Sequence, residues 1–562
     1  MAHCPAGGRG RPEEQRKLAT YFGPTRAQGS SLSLNTLYRE LLEHPDHRMR
    51  FLSIDGSQTT KTFSEVHADV LQLMAELRDC GVGAGDLVGL MGPNSYEWVL
   101  ADLALLGLEC LSVALPAERR TQPDAVRELA EKYRLSAVLV TKALPVGSHL
   151  PEATGLLEER PLKFDKRAVP DDARPAIPAD VFSIAFSSGT SGTKKGLMMS
   201  KVGVENTMRV SAGAWQVTED DNVLIVMPFS NFQQRYLMYT AVRYGLDATV
   251  VAPERMFQKL REFNPTIILG PPSFFEVAYN RVNAGSVRDK LPYYVATALH
   301  TLARGRFGHG VRAWLGRKWM SMYGSRVRLM LTGSAPVPPR TVRLFQRLGA
   351  PLFEVYGSTE SGWICFNLPQ RHRIGSAGRP VDGVDVTLAE DGEVLVGTAY
   401  PQTLGYVFEG EETQQSVYLK PDQLAMGDIG EFDRSGFLRL VGRKKNVIIT
   451  RSGVKINPEE LEEAVEKSCR ITKAIVVSPG SDGLLTCVVW LDDPESAARR
   501  TEVESCVEEL NRKGQSSHRM VDVLFRPAGE LSVENGLLTR NFKVDRGAVM
   551  RKIFTEGSRG AR

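Results

Sequence analysis

Between Phe186 and Ser200 the chain reads FSSGTSGTKKGLMMS, a crowd of glycines and hydroxyl side chains set directly after the apolar run VFSIAF. Glycines let a backbone turn tightly and aim several N–H groups at one point. Ser and Thr hydroxyls add donors, and Lys195 adds a positive charge. A loop of that chemistry can cradle a polyphosphate. The Walker A spacing is absent, so this is not the loop of an ordinary P-loop NTPase. On its own, a Ser/Thr/Gly cluster is more often simply a mobile loop.

The loop has company further along. Gly333-Ser334-Ala335-Pro336 follows the strand-like RLMLT, and Tyr356-Gly357-Ser358-Thr359-Glu360 lies beyond it. Gly427-Asp428-Ile429-Gly430, then Gly442-Arg443-Lys444-Lys445-Asn446, bring acidic and basic groups into short turns. NGLLTRNFKVDR (Asn535–Arg546) carries Lys543 near the C-terminus. Taken singly, Tyr-Gly-Ser reads as a turn and a tail lysine as a solvated charge.

Elements with two different periods must position these groups. Phe63–Cys80 and Glu97–Gly107 have helical spacing, whereas Leu87–Met91, Leu111–Leu115 and Ala137–Thr141 read as buried strands. Val223–Met227, Ala248–Ala252, Thr266–Leu269 and Leu329–Thr332 continue the alternation, which predicts parallel sheets flanked by helices. Leu144–Asp180, rich in Pro, Glu and Asp, reads as a surface excursion. After Gly375, short β runs at Val384–Leu388, Gly392–Val396 and Gly436–Val441 suggest a β subdomain. Beyond Lys445 an α+β unit is expected, with helices Pro458–Lys467 and Glu502–Lys513 and strands Ile475–Val477 and Leu485–Leu491. The expected fold is α/β: a large N-terminal domain of two helix-flanked sheets plus a β subdomain, and a small mobile α+β C-terminal domain. The corresponding boundaries are a disordered leader 1–31, a domain 32–444 with its β subdomain at 375–444, and a lid 445–562.

Together, and in this order, the motifs resemble those of the adenylate-forming superfamily: acyl-CoA synthetases, aryl-CoA ligases, peptide-synthetase adenylation domains and beetle luciferases. Ser187, Ser188, Gly189, Thr190, Gly192, Lys195 and Gly196 match its signature loop. Lys194 stands where the pattern has Pro, and Lys201 where it has His. The resemblance implies that Gly333, Ser334 and Ala335 flank an adenine near which Tyr356 stacks. It implies that Gly357 belongs to the nucleotide site and that Thr359 touches the α-phosphate or the substrate carboxylate. Glu360 would help hold Mg²⁺, a hard cation suited to carboxylate oxygen. Asp428 would bind both ribose hydroxyls, Arg443 would contact ribose or phosphate, and Lys445 would mark the interdomain hinge. Lys543 would be the adenylation lysine, replaced in a second half-reaction by the Gly453-Val454-Lys455 side after the lid rotates.

The implied activity is conversion of a carboxylic acid to an acyl-AMP with ATP and Mg²⁺, CoA being the default acceptor. A carboxylate attacking the α-phosphorus brings two anions together, so catalysis is mostly positioning and charge neutralisation. Lys195 would manage the leaving pyrophosphate and Lys543 would bridge carboxylate and α-phosphate oxygens. Met227–Arg235 (MPFSNFQQR), Gly270–Tyr279 (GPPSFFEVAY, with Ser273), Ile374–Pro380 and GRKKNVIIT resemble the long-chain acyl-CoA synthetase branch. Asn231, however, stands where that branch usually has a pocket His. Asn231, Gln233, Gln234 and Arg235 could form a polar wall for a hydroxylated or amino-bearing aromatic acid. Alternatively, Arg235 makes a structural ion pair and the glutamines face solvent. Transfer to a carrier-protein thiol, adenylation of nitrous acid for diazotising an aryl amine, and a nucleotide-binding pseudo-enzyme stay open as other outcomes. A luciferase-like oxygenase is the remotest of them.

Bulk properties fit this picture. A chain of 562 residues needs two or more domains, and 42% hydrophobic with 24% charged residues suits a soluble globular protein. A formal charge of +4, from 70 basic and 66 acidic side chains, is no footprint for nucleic acid or an anionic membrane. No apolar run reaches the roughly 18–20 residues of a membrane span. Seven scattered cysteines without a CxxC pair point to reduced thiols and a cytoplasmic location.

Overall fold

The structure is a computed structural model. It describes residues 33–116, 125–141, 151–170, 175–186, 195–252, 255, 257, 259–284, 294–295, 320–335, 337–449, 455–471, 473–480, 484–514, 518–532, 534–538 and 544–556. The leader 1–31 lies outside them. The fold is mixed α/β with several sheets, and the chain divides into two compact units. The first holds 1–186, 196–375 and 400–408, and the second 187–195, 376–399 and 409–562.

Two sheets dominate the first unit. Its strands are β1 (Arg48–Leu52), β2 (Gln58–Thr62), β3 (Leu87–Met91), β4 (Leu111–Ala114), β5 (Ala137–Val140), β6 (Thr154–Leu156) and β7 (Val181–Phe186). They continue with β8 (Gly196–Ser200), β9 (Asn222–Ile225), β10 (Asp247–Val251), β11 (Ile267–Gly270), β12 (Leu329–Thr332), β13 (Leu352–Ser358) and β14 (Gly362–Phe366). One sheet runs β14-β13-β12-β11-β9-β10-β1-β2; its interior pairs are parallel, and β2 and β14 are antiparallel to their neighbours. The other contains β8-β7-β4-β3-β5-β6, with strand Thr403–Val407 antiparallel beyond β8. Parallel strands covered on both faces read as unbroken apolar runs, and LVGLM, VFSIAF and LMLT are indeed buried at every position. The stretch read as an excursion thus contributes β6, three residues too short to show a period, parallel to β5.

Helices open where the sequence supplies caps. Helix α1 (Phe63–Asp79) starts with a capping box between Thr62 and Glu65, and α2 (Tyr96–Gly107) is capped by the Ser95 hydroxyl. Helix α3 (Lys201–Trp215) begins beneath Gly203, where an added Cβ would sit 2.0 Å from the Pro401 carbonyl oxygen. Only glycine lets that backbone approach so closely. Helix α4 (Phe232–Tyr244) is capped by Asn231 and ends on Gly245 in the left-handed conformation.

The second unit contains antiparallel strands Val384–Leu388, Glu393–Thr398, Gln423–Phe432 and Leu438–Arg443. It also contains a three-stranded sheet of Lys473–Val477, Leu485–Leu491 and Met520–Pro527. Helices Pro458–Ser468 and Ala497–Lys513 share with that sheet a core of Val465, Val476, Cys487, Val489, Val503 and Val507. Here one expectation fails. Cys469 and Cys506 form a disulfide, their Cα atoms 5.7 Å apart, because the two helices pack side by side. Sequence spacing of 37 residues gave no sign of a pairing made by helix packing. Among the described residues Cys80, Cys110, Cys365 and Cys487 are free and buried, and no helix is long and apolar enough to cross a membrane.

Candidate functional site

Parallel strands in open α/β sheets present ligand crevices at their carboxyl ends. In the first unit the ends of β9, β11, β12 and β13 converge on one cavity of about 30 Å³. Met227 follows β9, Gly270 and Pro271 close β11, Gly333 and Ser334 follow β12, and Val355 and Gly357 belong to β13. Asn231, Gln233 and Gln234 line it from the first turn of α4, and Trp363 from β14. Two separate groups of sequence expectations, the nucleotide turns and the acid-pocket residues, therefore meet around the same space.

The loop from β9 to α4 is fixed by side chains on both sides. Asn94 Nδ2 donates to the Met227 carbonyl at 2.8 Å, and its Oδ1 accepts from Phe229 N at 2.8 Å. Gln234 Oε1 accepts from Val226 N and Met227 N, both at 3.2 Å. Phe229 stacks on Trp98 with centroids 4.8 Å apart. Asn231 is thereby held as the helix cap, its Oδ1 accepting from Gln233 N at 3.3 Å.

Two glycines permit the strand ends to close in. A Cβ on Gly357 would lie 2.4 Å from the Gly362 carbonyl oxygen, and one on Gly333 2.9 Å from that of Val355. Ser334 adopts φ +66°, a left-handed conformation uncommon for a residue with a side chain and typical of strained functional turns. The turn between β13 and β14 carries Thr359 and Glu360. Gln402 Nε2 donates to the Thr359 carbonyl at 3.0 Å and Thr403 Oγ1 to the Glu360 carbonyl at 2.7 Å. Tyr406 donates its hydroxyl to Glu360 Oε1 at 3.3 Å. Tyr356 is buried on β13 just before this turn. Burial pushes the Glu354 carboxyl up to about 7, against an opposing Gly375 N–H bond and the Arg343 charge.

Two pocket expectations, for Arg235 and Ser273, need correction, as does the alternative in which Gln234 faces solvent. Arg235 is 1% exposed and points away from the cavity lining, its guanidinium forked onto Asp102 of α2. It donates further to Ser183 and Ser112 Oγ, each at 2.6 Å, and Tyr239 donates to Asp102 at 2.7 Å. Burial works most strongly against the guanidinium's charge, and Asp102 and Tyr239 together outweigh it, holding its proton affinity above the ordinary value. Arg235 is thus a structural cross-tie between α4 and the β4–β7 sheet. Gln234 does not face solvent; its amide oxygen holds the loop before α4. Ser273 is exposed on the first turn of helix Pro272–Ala284 and does not line the cavity, which Gly270 and Pro271 reach instead.

Residues 38–406 match the model of the AMP-binding enzyme family. The chain belongs to that family. Among its relatives, the long-chain-fatty-acid–CoA ligase FadD15 of Mycobacterium bovis is 25% identical over 481 residues, 77% of this chain and 78% of that one. Among solved structures, o-succinylbenzoate coenzyme A synthetase (MenE) of Bacillus subtilis with ATP and magnesium gives a TM-score of 0.68 at 19% identity. The match covers 88% of this chain and 95% of that one. The anthranilate CoA ligase AuaEII in complex with anthranoyl-AMP gives 0.69 at 17% identity, covering 94% and 98%. At such identities these structures speak for the fold alone, which is that of adenylate-forming ligases. The chain is an AMP-binding ligase of the acyl-CoA synthetase kind.

In this AMP-binding enzyme the second unit holds two further expected residues as a pair. Asp428 and Arg443 face each other across antiparallel strands, and Arg443 Nε lies 3.0 Å from Asp428 Oδ1. Arg443 also donates to the Met426 carbonyl at 3.1 Å. Lys444 bridges Asp391 and Glu393, and Lys445 follows in an exposed turn. Lys195 stands half-buried immediately before β8. Ser187, Ser188, Gly189, Thr190, Gly192 and Lys543 lie outside the described residues. Sequence reasoning missed Trp363 as a cavity residue, although it stands only three positions after Glu360.

Proposed function

We propose that the protein uses ATP to activate a carboxylic acid as its acyl-AMP and then passes the acyl group to a thiol, that of CoA. The cavity where Gly333, Ser334 and Gly357 meet Asn231 and Gln233 supports this best, because a nucleotide turn and an acid pocket must share one space for in-line attack. The substrate carboxylate attacks the α-phosphorus, forming the acyl–phosphate bond as the bond to pyrophosphate breaks. Lys543 and Thr359 steady the reacting oxygens, and Lys195 with the Ser187–Gly192 loop receives the pyrophosphate. Asp428 accepts from the ribose hydroxyls beside Arg443, and Lys445 is the hinge of the second half-reaction.

Glu360 would hold Mg²⁺, whose charge offsets that of the phosphates. Its half-buried carboxylate, braced by Tyr406, suits that role, since Mg²⁺ is commonly held through one or two carboxylates plus substrate phosphates. Among the described residues the one group of three metal-ligating side chains is His44, His47 and Glu219. It lies by Gly245, at the opposite end of α4 from Asn231. The names of FadD15 and AuaEII as CoA ligases support CoA as the acceptor.

The test is ATP–pyrophosphate exchange with fatty acids, hydroxy- and aminobenzoates, cinnamates and nitrite, followed by CoA and carrier-protein trials on the responding acid. Exchange should appear with one class and fall by about 10²–10³ in Glu360→Gln and Lys543→Ala. ATP binding without exchange for any acid would remove the proposal.

A further inference from the structure

Trp363 forms one wall of the cavity and is held on several sides. Its Nε1 donates to the Tyr236 hydroxyl at 2.7 Å, and its ring meets Trp215 edge-on at 6.0 Å and Phe366 at 5.3 Å. Trp363 is 8% exposed, while Tyr236 and Trp215 are almost wholly buried. Trp215 in turn lines a separate void of about 10 Å³ with Val223, Leu237 and Ile267, and its own Nε1 has no hydrogen-bond partner. An aromatic partition thus stands between the apolar core and a cavity where the amides of Asn231, Gln233 and Gln234 share the lining with Met227, Leu269 and Val355. On its open side Asn231 spends Oδ1 on the helix cap, and among the described residues neither its Nδ2 nor the Gln233 side-chain amide has a partner.

We propose that Trp363, seated on Tyr236 and Trp215, is the floor that sets substrate length. The enzyme takes a short polar acid, benzoate-sized or smaller, whose hydroxyl, amino or oxo groups bond Asn231 and Gln233, and it excludes extended alkyl chains. This inference rests on the adenylation reading and narrows its substrate. It departs from the fatty-acid names of the sequence relatives, because an indole anchored by its own hydrogen bond cannot swing aside without leaving the Trp363 N–H unpaired in a buried site.

Rates of ATP–pyrophosphate exchange on the full chain decide it. The acids run from nitrite, acetate and butyrate through hydroxy- and aminobenzoates to octanoate, dodecanoate and palmitate, with wild type, Trp363→Leu and Trp363→Gly. In wild type the best acid should be short and polar, with kcat/KM for dodecanoate and palmitate at least about 10²-fold lower. Trp363→Gly should raise octanoate or dodecanoate relative to the best short acid by about tenfold or more. A wild-type enzyme that handles dodecanoate or palmitate within tenfold of its best short acid, through exchange that Lys543→Ala abolishes, overturns the inference and leaves adenylation standing. Folded, active Trp363 variants with an unchanged length profile overturn it as well. Should Trp363→Gly fail to fold, the wild-type profile and Trp363→Leu carry the decision. Silence with every acid removes the adenylation reading and this inference with it.

Discussion

Replacing Asp102 by Ala tests whether Arg235 is a cross-tie or a pocket residue. In the native state the guanidinium is 1% exposed, and Asp102 is its only carboxylate partner among the described residues; Ser112 and Ser183 supply neutral acceptors. The rings of Trp98, Phe182, Phe232 and Tyr239 surround it, with centroids 5.6–5.8 Å away. Removing Asp102 strands a buried charge, which costs about 3–5 kcal/mol, and the Tyr239 hydroxyl loses its acceptor for about 1 kcal/mol more. About 4 kcal/mol is close to a thousandfold change in the folding equilibrium. With a urea slope near 3 kcal/mol/M, the unfolding midpoint should fall by somewhat more than about 1 M, read by tryptophan fluorescence since Trp98 lies beside the pair. The paired replacement Asp102→Leu with Arg235→Met removes both charges and should cost less than either single change, giving a coupling above about 2 kcal/mol. A loss below about 1 kcal/mol for Asp102→Ala, or additive single costs, would refute the cross-tie.

Gly357→Ala places a methyl 2.4 Å from the Gly362 carbonyl oxygen, so it should lower thermal stability by about 1–3 kcal/mol and pyrophosphate exchange more than about tenfold; an unaltered melting curve and rate would count against the close approach. Glu354 supplies a pH dependence. Its folded proton affinity lies near 7 against an ordinary 4.5, so its contribution is fully present below about 4.5 and is lost as pH rises through 7. Glu354→Gln should therefore be more stable than wild type at pH 8, by up to about 3 kcal/mol, and nearly equal to it at pH 5; identical differences at both pH values would sink the assignment. The losses in Glu360→Gln and Lys543→Ala, and the length profile of the Trp363 variants, complete the set.

The strands and helices were legible because their signals are local. Leu87–Met91 and Leu329–Thr332 are buried strands at the residues where unbroken apolar runs predicted them, and α1 spans Phe63–Asp79 as its spacing required. Motif order likewise carried family membership, since glycines at Gly333 and Gly357 answer to backbone approach, a constraint written into residue type. Side-chain direction was not legible. Asn231, Gln233, Gln234 and Arg235 occupy one helical turn, yet the first two meet the cavity, Gln234 also ties down the preceding loop, and Arg235 turns to Asp102. Successive residues on a helix differ by about 100° in direction, so a polar run says nothing of which member faces the site until the neighbouring sheet is in place. The Cys469–Cys506 bond and the Trp363–Tyr236–Trp215 partition have the same origin: residues far apart in sequence meet only when helices and strands pack, and packing alone decided them.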